Sequence, residues 1–104
     1  MGDQAPGISP DVREREDTKV QEPEMYRVVL HNDDYTTMDF VIEVIVKVFN
    51  KGIVTAMKIM LDVHHKGRGE VGTYTYDIAN TKVKQVREMA RSREFPLKCT
   101  IERA

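Results

Sequence analysis

The apolar positions divide the chain into a polar N-terminal stretch and a patterned remainder. Residues 1–24 show almost no hydrophobic periodicity and hold three of the four prolines, Pro6, Pro10 and Pro23. Such a stretch buries too little surface to offset the entropy of ordering, so a disordered extension is expected over 1–24 and one folded domain over 25–104. From Met25 to Leu30, β-branched and aromatic residues dominate until the turn-rich HNDDY begins. That predicts a strand. Thr36 or Thr37 is placed to cap a following helix, with Asp39 favourable to the dipole in its first turn. Its apolar positions Phe40, Val41, Val44, Ile45, Val48 and Phe49 recur at three and four residues, and Ile42 and Val46 widen the stripe. This helix should be buried on more than one side and should end at Gly52.

A second helix is expected from about Val54 to His65. Val54, Met57, Leu61 and His64 fall on one face, with Met60 and Val63 beside them. Gly67 closes it, and Gly67, Gly69 and Gly72 space out a loop that enters a strand from Val71 to Tyr76. The next helix runs from Asp77 to about Arg93 along the apolar line Ala79, Val83, Val86 and Ala90, and Pro96 prevents its continuation. Leu97, Cys99 and Ile101 alternate with Lys98, Thr100 and Glu102, a last strand with one buried face. The element order is β-α-α-β-α-β. It predicts an α+β sandwich with three helices packed on one face of a small three-stranded antiparallel sheet.

Composition sharpens this picture only where it is uneven. The 104 residues carry a formal net charge of −1, which gives no reason to expect nucleic acid or an anionic membrane as a partner. The first 24 residues, however, hold seven acidic and three basic side chains, and the remaining eighty hold ten acidic and thirteen basic. The single cysteine, Cys99, has no intramolecular partner, which fits a reducing compartment. No apolar run approaches the roughly 20 residues that span a bilayer. The acidic N-terminus has no apolar stretch of its own, so a cytoplasmic protein is expected.

The candidate chemistry concentrates at Leu30–Met38, LHNDDYTTM. Asn32, Asp33 and Asp34 are turn formers, but together they offer more acceptors than one turn uses. Acceptors without a catalytic partner suit a cationic ligand, either an ammonium group or a metal. His64 and Met60 lie four residues apart on the second helix and can face one pocket. His64 and His65 diverge by about 100° and cannot readily share an ion. Without a Cys pair or a His-x-x-x-His spacing, no metal site or other cofactor is expected. Cys99 reads as a buried, inert thiol, and no Gly-rich phosphate loop or GxSxG elbow occurs. An enzyme is therefore not expected. Met57 and Met89 read as core fillers, whereas Met38 and Met60 border the acceptors and suit an adaptable apolar wall.

Four blocks, NDDYTTM at 32–38, MLDVHHKG at 60–67, YTYDIANTKV at 74–83 and PLKCTIE at 96–102, resemble the ClpS family in order and without obvious gaps. Members of that family are adaptors that deliver N-degron substrates to a Clp-type AAA+ unfoldase and its protease. The resemblance implies that Asn32, Asp33 and His64 accept from the α-ammonium of a substrate's first residue, with Asp34 and Thr36 shaping the loop and its backbone contacts. It implies an apolar pocket walled by Met38, Val41, Met60, Val63 and Leu97 for an N-terminal Leu, Phe, Tyr or Trp, with Met38 gating against β-branched side chains. Asp77 and Lys82 match the residues that dock on the unfoldase N-terminal domain, and the N-terminal extension matches one that relatives use during handover. A monomer when free is the corresponding expectation. Thr37 stands where relatives often have proline, Glu70 where many are apolar, and Asp77 where a glutamate is common. Two rival classes remain, a structural interaction module and a small metal-dependent enzyme using His64 with Asp33.

Overall fold

The computed structural model describes residues 22–104, so most of the expected extension lies outside the described residues. Six elements follow in order: β1 (Met25–His31), α1 (Met38–Phe49), α2 (Ile53–Lys66), β2 (Arg68–Thr75), α3 (Tyr76–Ser92) and β3 (Lys98–Arg103). They form one antiparallel sheet in the order β2-β1-β3 with the three helices against it. This is the expected sandwich. The first strand in the sequence is thus the central one, and the loop that leaves it emerges in the middle of one sheet end. Register runs from Met25↔Thr75 to His31↔Arg68 on one side and from Tyr26↔Arg103 to His31↔Lys98 on the other.

Alternation along β1 separates two environments. Val28 and Leu30 enter the core, while Arg27, Val29 and His31 belong to the opposite face. That outer face carries ion pairs from Arg27 to Glu70 and from Arg68 to Glu102. The ladder between β1 and β2 is irregular at Val28/Val29, where Val28 faces Gly72 and Val29 faces Glu70. A side chain at Gly72 would collide with the Tyr74 ring, so the bare backbone there lets that ring lie across the strand. The sequence pattern assigns Arg68–Glu70 to a loop because glycine disfavours strands. In the structure these residues pair with β1, and Gly69 instead marks a close approach. A Cβ at Gly69 would stand 2.7 Å from Val63 Cγ2, so α2 packs directly onto this strand.

Thr37 begins α1, its Oγ1 accepting the Phe40 N–H at 3.1 Å. α1 buries one broad face, Phe40, Val41, Val44, Ile45, Val48 and Phe49, with Ile42 and Val46 half-buried and Asp39 and Lys47 exposed, and it packs against both other helices and β2. It ends at Asn50, which holds the left-handed conformation (φ 57°), and not at Gly52. Gly52 is the N-cap of α2. Asparagine tolerates the left-handed region well enough to terminate a helix two residues before the glycine is reached.

Two cations tie α1 to α3. Lys82 Nζ donates to the Val48 carbonyl at 2.7 Å and lies 5.8 Å from the Tyr74 ring centroid. It is half-buried. Arg93 binds Glu43 through both terminal nitrogens, at 3.2 and 2.6 Å, and covers the Phe40 ring. Lys47 reaches the same carboxylate at 2.9 Å. Arg93 foremost, with Lys47, holds the Glu43 carboxyl down at about 2. Cys99 is buried in the core side of β3, and desolvation pushes its thiol up to about 12 despite the opposing charge of Arg87. Among the described residues no helix is long and apolar enough to cross a membrane.

Candidate functional site

The loop between β1 and α1 is shaped by one side chain. Asp33 Oδ1 accepts the backbone N–H groups of Tyr35 (2.8 Å) and Thr36 (2.7 Å), and Oδ2 accepts the Thr36 hydroxyl at 2.7 Å. Aspartate suits this task because its short carboxylate reaches the chain two and three residues on. Partial burial acts to raise the Asp33 carboxyl, but the three donors from Thr36 and Tyr35 outweigh it and hold it below the ordinary carboxylate range. A charged acceptor is thereby fixed at the end of the central strand.

The loop is also fastened to α2. Gly67, in the left-handed conformation at φ 88°, ends that helix with its N–H on the Val63 carbonyl at 3.0 Å. Its own carbonyl then accepts the Asn32 N–H at 2.9 Å. A backbone bridge therefore sets how far Asn32 stands from the last turn of α2, where His64 lies.

Between these elements is a cavity of about 490 Å³, lined by the loop 32–38, Val41 of α1, and Met60, Val63 and His64 of α2. Its volume is that of a pocket for one bulky side chain and its immediate attachment. Val41, Met60 and Val63 are buried and supply apolar walls. Asn32, Asp34 and His64 are exposed, and Met38 is 48 % exposed. The arrangement is amphipathic: acceptor groups and an imidazole accompany an apolar interior. It can hold a cationic donor and an attached hydrophobic group together. Among the described residues no group of three or more His, Cys, Asp and Glu side chains is placed to hold a metal ion.

Nine of the ten residues expected to bind substrate line this one cavity: Asn32, Asp33, Asp34, Thr36 and His64, with Met38, Val41, Met60 and Val63. Leu97 does not. It is buried in the connection between α3 and β3, directly before Lys98, and lines a neighbouring concavity. Sequence reasoning missed Tyr35, which is 77 % exposed and lines both cavities. An aromatic side chain in an otherwise polar loop was the available signal. The face of α2 is also corrected. Val54, Met57 and Leu61 are 65, 47 and 44 % exposed, while Ala56, Met60 and Val63 are buried, so Met57 is not a core filler. Asp77 lies in the first turn of α3, following the strand end where Thr75 pairs with Met25, and the loop 32–38 leaves the other end of β1.

The ClpS family profile, described as ATP-dependent Clp protease adaptor protein ClpS, matches residues 21–100. The ATP-dependent Clp protease adapter protein ClpS of Syntrophus aciditrophicus is 58 % identical over 84 residues, 81 % of this chain and 78 % of the relative. That of Acetivibrio thermocellus is 53 % identical over 91 residues, 88 % and 92 % of the two chains. A solved structure of Agrobacterium tumefaciens ClpS2 bound to L-phenylalaninamide superposes with a TM-score of 0.77 at 36 % identity, covering 80 % of this chain and all of that one. With the profile matching most of the described residues and relatives of this identity matching along most of their length, the chain belongs to the ClpS family of ATP-dependent Clp protease adaptor proteins.

Proposed function

We propose that the cavity beside the loop 32–38 binds the free N-terminal residue of a substrate protein, Leu, Phe, Tyr or Trp, for delivery to a Clp-type AAA+ unfoldase-protease. The observation that carries this reading is the pairing of acceptors with buried apolar walls in one cavity. It agrees with the ligand of the Agrobacterium tumefaciens relative, an amino-acid amide with an aromatic side chain.

In this mechanism the α-ammonium donates to Asn32, the Asp33 carboxylate and a neutral nitrogen of His64, while Asp34 and Thr36 hold the loop. The side chain enters between Met38, Val41, Met60 and Val63. Burying a Leu or Phe contributes about 1.5–3 kcal/mol. Charge-assisted hydrogen bonds add roughly 1.5–3 kcal/mol each. Association itself costs about 4–15 kcal/mol, so neither half alone suffices and the two form a joint requirement. Met38 at the cavity edge excludes β-branched side chains. No bond is made or broken at this site. Asp77 and Lys82 dock on the unfoldase N-terminal domain, and the protein acts in the cytoplasm as a monomer until that encounter.

Fluorescence anisotropy with labelled peptides beginning Leu, Phe, Tyr, Trp, Val or acetyl-Leu tests the reading. The first four bind, Val binds weakly and the acetylated peptide does not. His64→Ala weakens all binding. Equal affinity for the acetylated peptide would mean that the acceptors read no amine, and the proposal would fall.

A further inference from the structure

Tyr35 lines both the proposed N-terminal pocket and a second, larger concavity of about 710 Å³. Its apolar surface comes from Ala90, Phe95 and Leu97, of which Ala90 and Leu97 are buried. Arg87 and Arg91 flank it, one helical turn apart on the exposed side of α3. Among the described residues neither arginine is in an ion pair. Glu94, which holds a left-handed backbone conformation, leaves the lining with an excess of one positive charge.

Tyr35 is the one described residue common to both cavities. On one side of it stand Asn32, Asp33 and Asp34; on the other stand two guanidinium groups and an apolar floor. The two linings therefore differ in electrostatic sign and meet at Tyr35. An extended polypeptide advances about 3.3–3.6 Å per residue, so two or three residues reach roughly 7–11 Å, about the length of one aromatic side chain with its backbone.

We infer that this second cavity receives the substrate's own chain at about its third and fourth residues, with an apolar side chain against Leu97 and Phe95 and an adjoining carboxylate on Arg87 and Arg91. The inference rests on the proposed recognition of the first residue, because only a chain anchored there is led across Tyr35. It gives the substrate a charge order. An acidic second residue faces Asp33 and Asp34 and is disfavoured, whereas an acidic fourth residue is favoured and a basic one is repelled.

The test uses the full chain and three probes: L-phenylalaninamide, the free-amine peptide Phe-Ser-Leu-Asp-Gly, and Phe-Ser-Leu-Lys-Gly. Calorimetry should show the Leu-Asp peptide bound about tenfold tighter than the Leu-Lys peptide, the effect of one charge-assisted contact. In the double variant Arg87→Gln with Arg91→Gln that difference should shrink to about twofold or less, with L-phenylalaninamide affinity unchanged. Circular dichroism of the variant establishes that the fold is intact. Survival of the discrimination in the variant overturns the inference while leaving first-residue recognition standing. An equal fall for the amide also overturns it, since the arginines then act on the first pocket. Failure of the wild-type protein to bind the amide or either peptide removes both readings. In NMR spectra, α3 amide shifts that change on dilution without peptide assign the cavity to a second copy of the chain and likewise overturn the inference.

Discussion

Asp33 does two jobs with one carboxylate, and only one of them involves a ligand. Its oxygens close the loop through Tyr35 and Thr36 before any amine arrives. Asp33→Ala should therefore cost about 1 kcal/mol of stability through the lost loop contacts, read by thermal unfolding, as well as abolish peptide binding. Because the folded protein holds this carboxyl below its ordinary range, its contribution is complete above that range and is lost as pH falls through the depressed folded value. Amide resonances of Tyr35 and Thr36 should stay constant through neutral pH and shift only in acid beyond the ordinary carboxylate range. Gly69 is the counterpart on the helix side. A methyl there meets Val63 Cγ2, so Gly69→Ala should cost about 1–3 kcal/mol and weaken peptide binding by displacing the turn that carries His64. An unchanged melting temperature would mean that α2 can yield without cost. The acceptor residues were legible in sequence because they interrupt a pattern with more polar groups than a turn needs. Tyr35 was marked only by being an aromatic in a polar loop, since periodicity says nothing about which cavity such a residue lines.

At the level of elements, α2 shows what periodicity leaves undecided. Ile53, Val54, Met57 and Leu61 make an apolar line as continuous as the buried one. Which line faces inward is decided across the fold, by Gly69 admitting Val63 and by Ala56 allowing close packing, and neither small residue weighs heavily in a hydrophobic pattern. In α1 and α3 the apolar residues point to one answer, and there the pattern was sufficient. Lys82 carries an element-scale consequence. Its ammonium donates to the Val48 carbonyl in the last turn of α1, so Lys82→Ala should lower stability by about 1–3 kcal/mol besides weakening unfoldase docking. Loss of docking with an unaltered melting temperature would assign Lys82 to the interface alone. The Arg93 strap offers a cleaner titration. Glu43, held at about 2, keeps the strap intact above the ordinary glutamate range and releases it as pH falls toward that value. Carboxyl NMR of Arg93→Ala should show the Glu43 midpoint rising. Both side chains are partly exposed, so the change in stability should be small.

Across the whole molecule, the central position of β1 separates the two proposed partners. The cavity lies past its His31 end, while Asp77 follows the strand that meets its Met25 end, and seven strand residues span roughly 20–23 Å. Substrate and unfoldase should therefore bind together without competition. Peptide affinity measured with and without a saturating unfoldase N-terminal domain should agree within about twofold, or about 0.4 kcal/mol. Strict competition would place the docking surface at the cavity. The same sheet encloses Cys99, the chain's one sulfhydryl, whose depth and raised titration leave almost no thiolate at neutral pH. That silence has a practical value. A cysteine introduced at a surface position becomes the single addressable attachment point for a dye, with no need to remove the native one. Conversely, slow modification of Cys99 in the unaltered protein becomes a clock for the opening of the core, readable at physiological temperature and without denaturant.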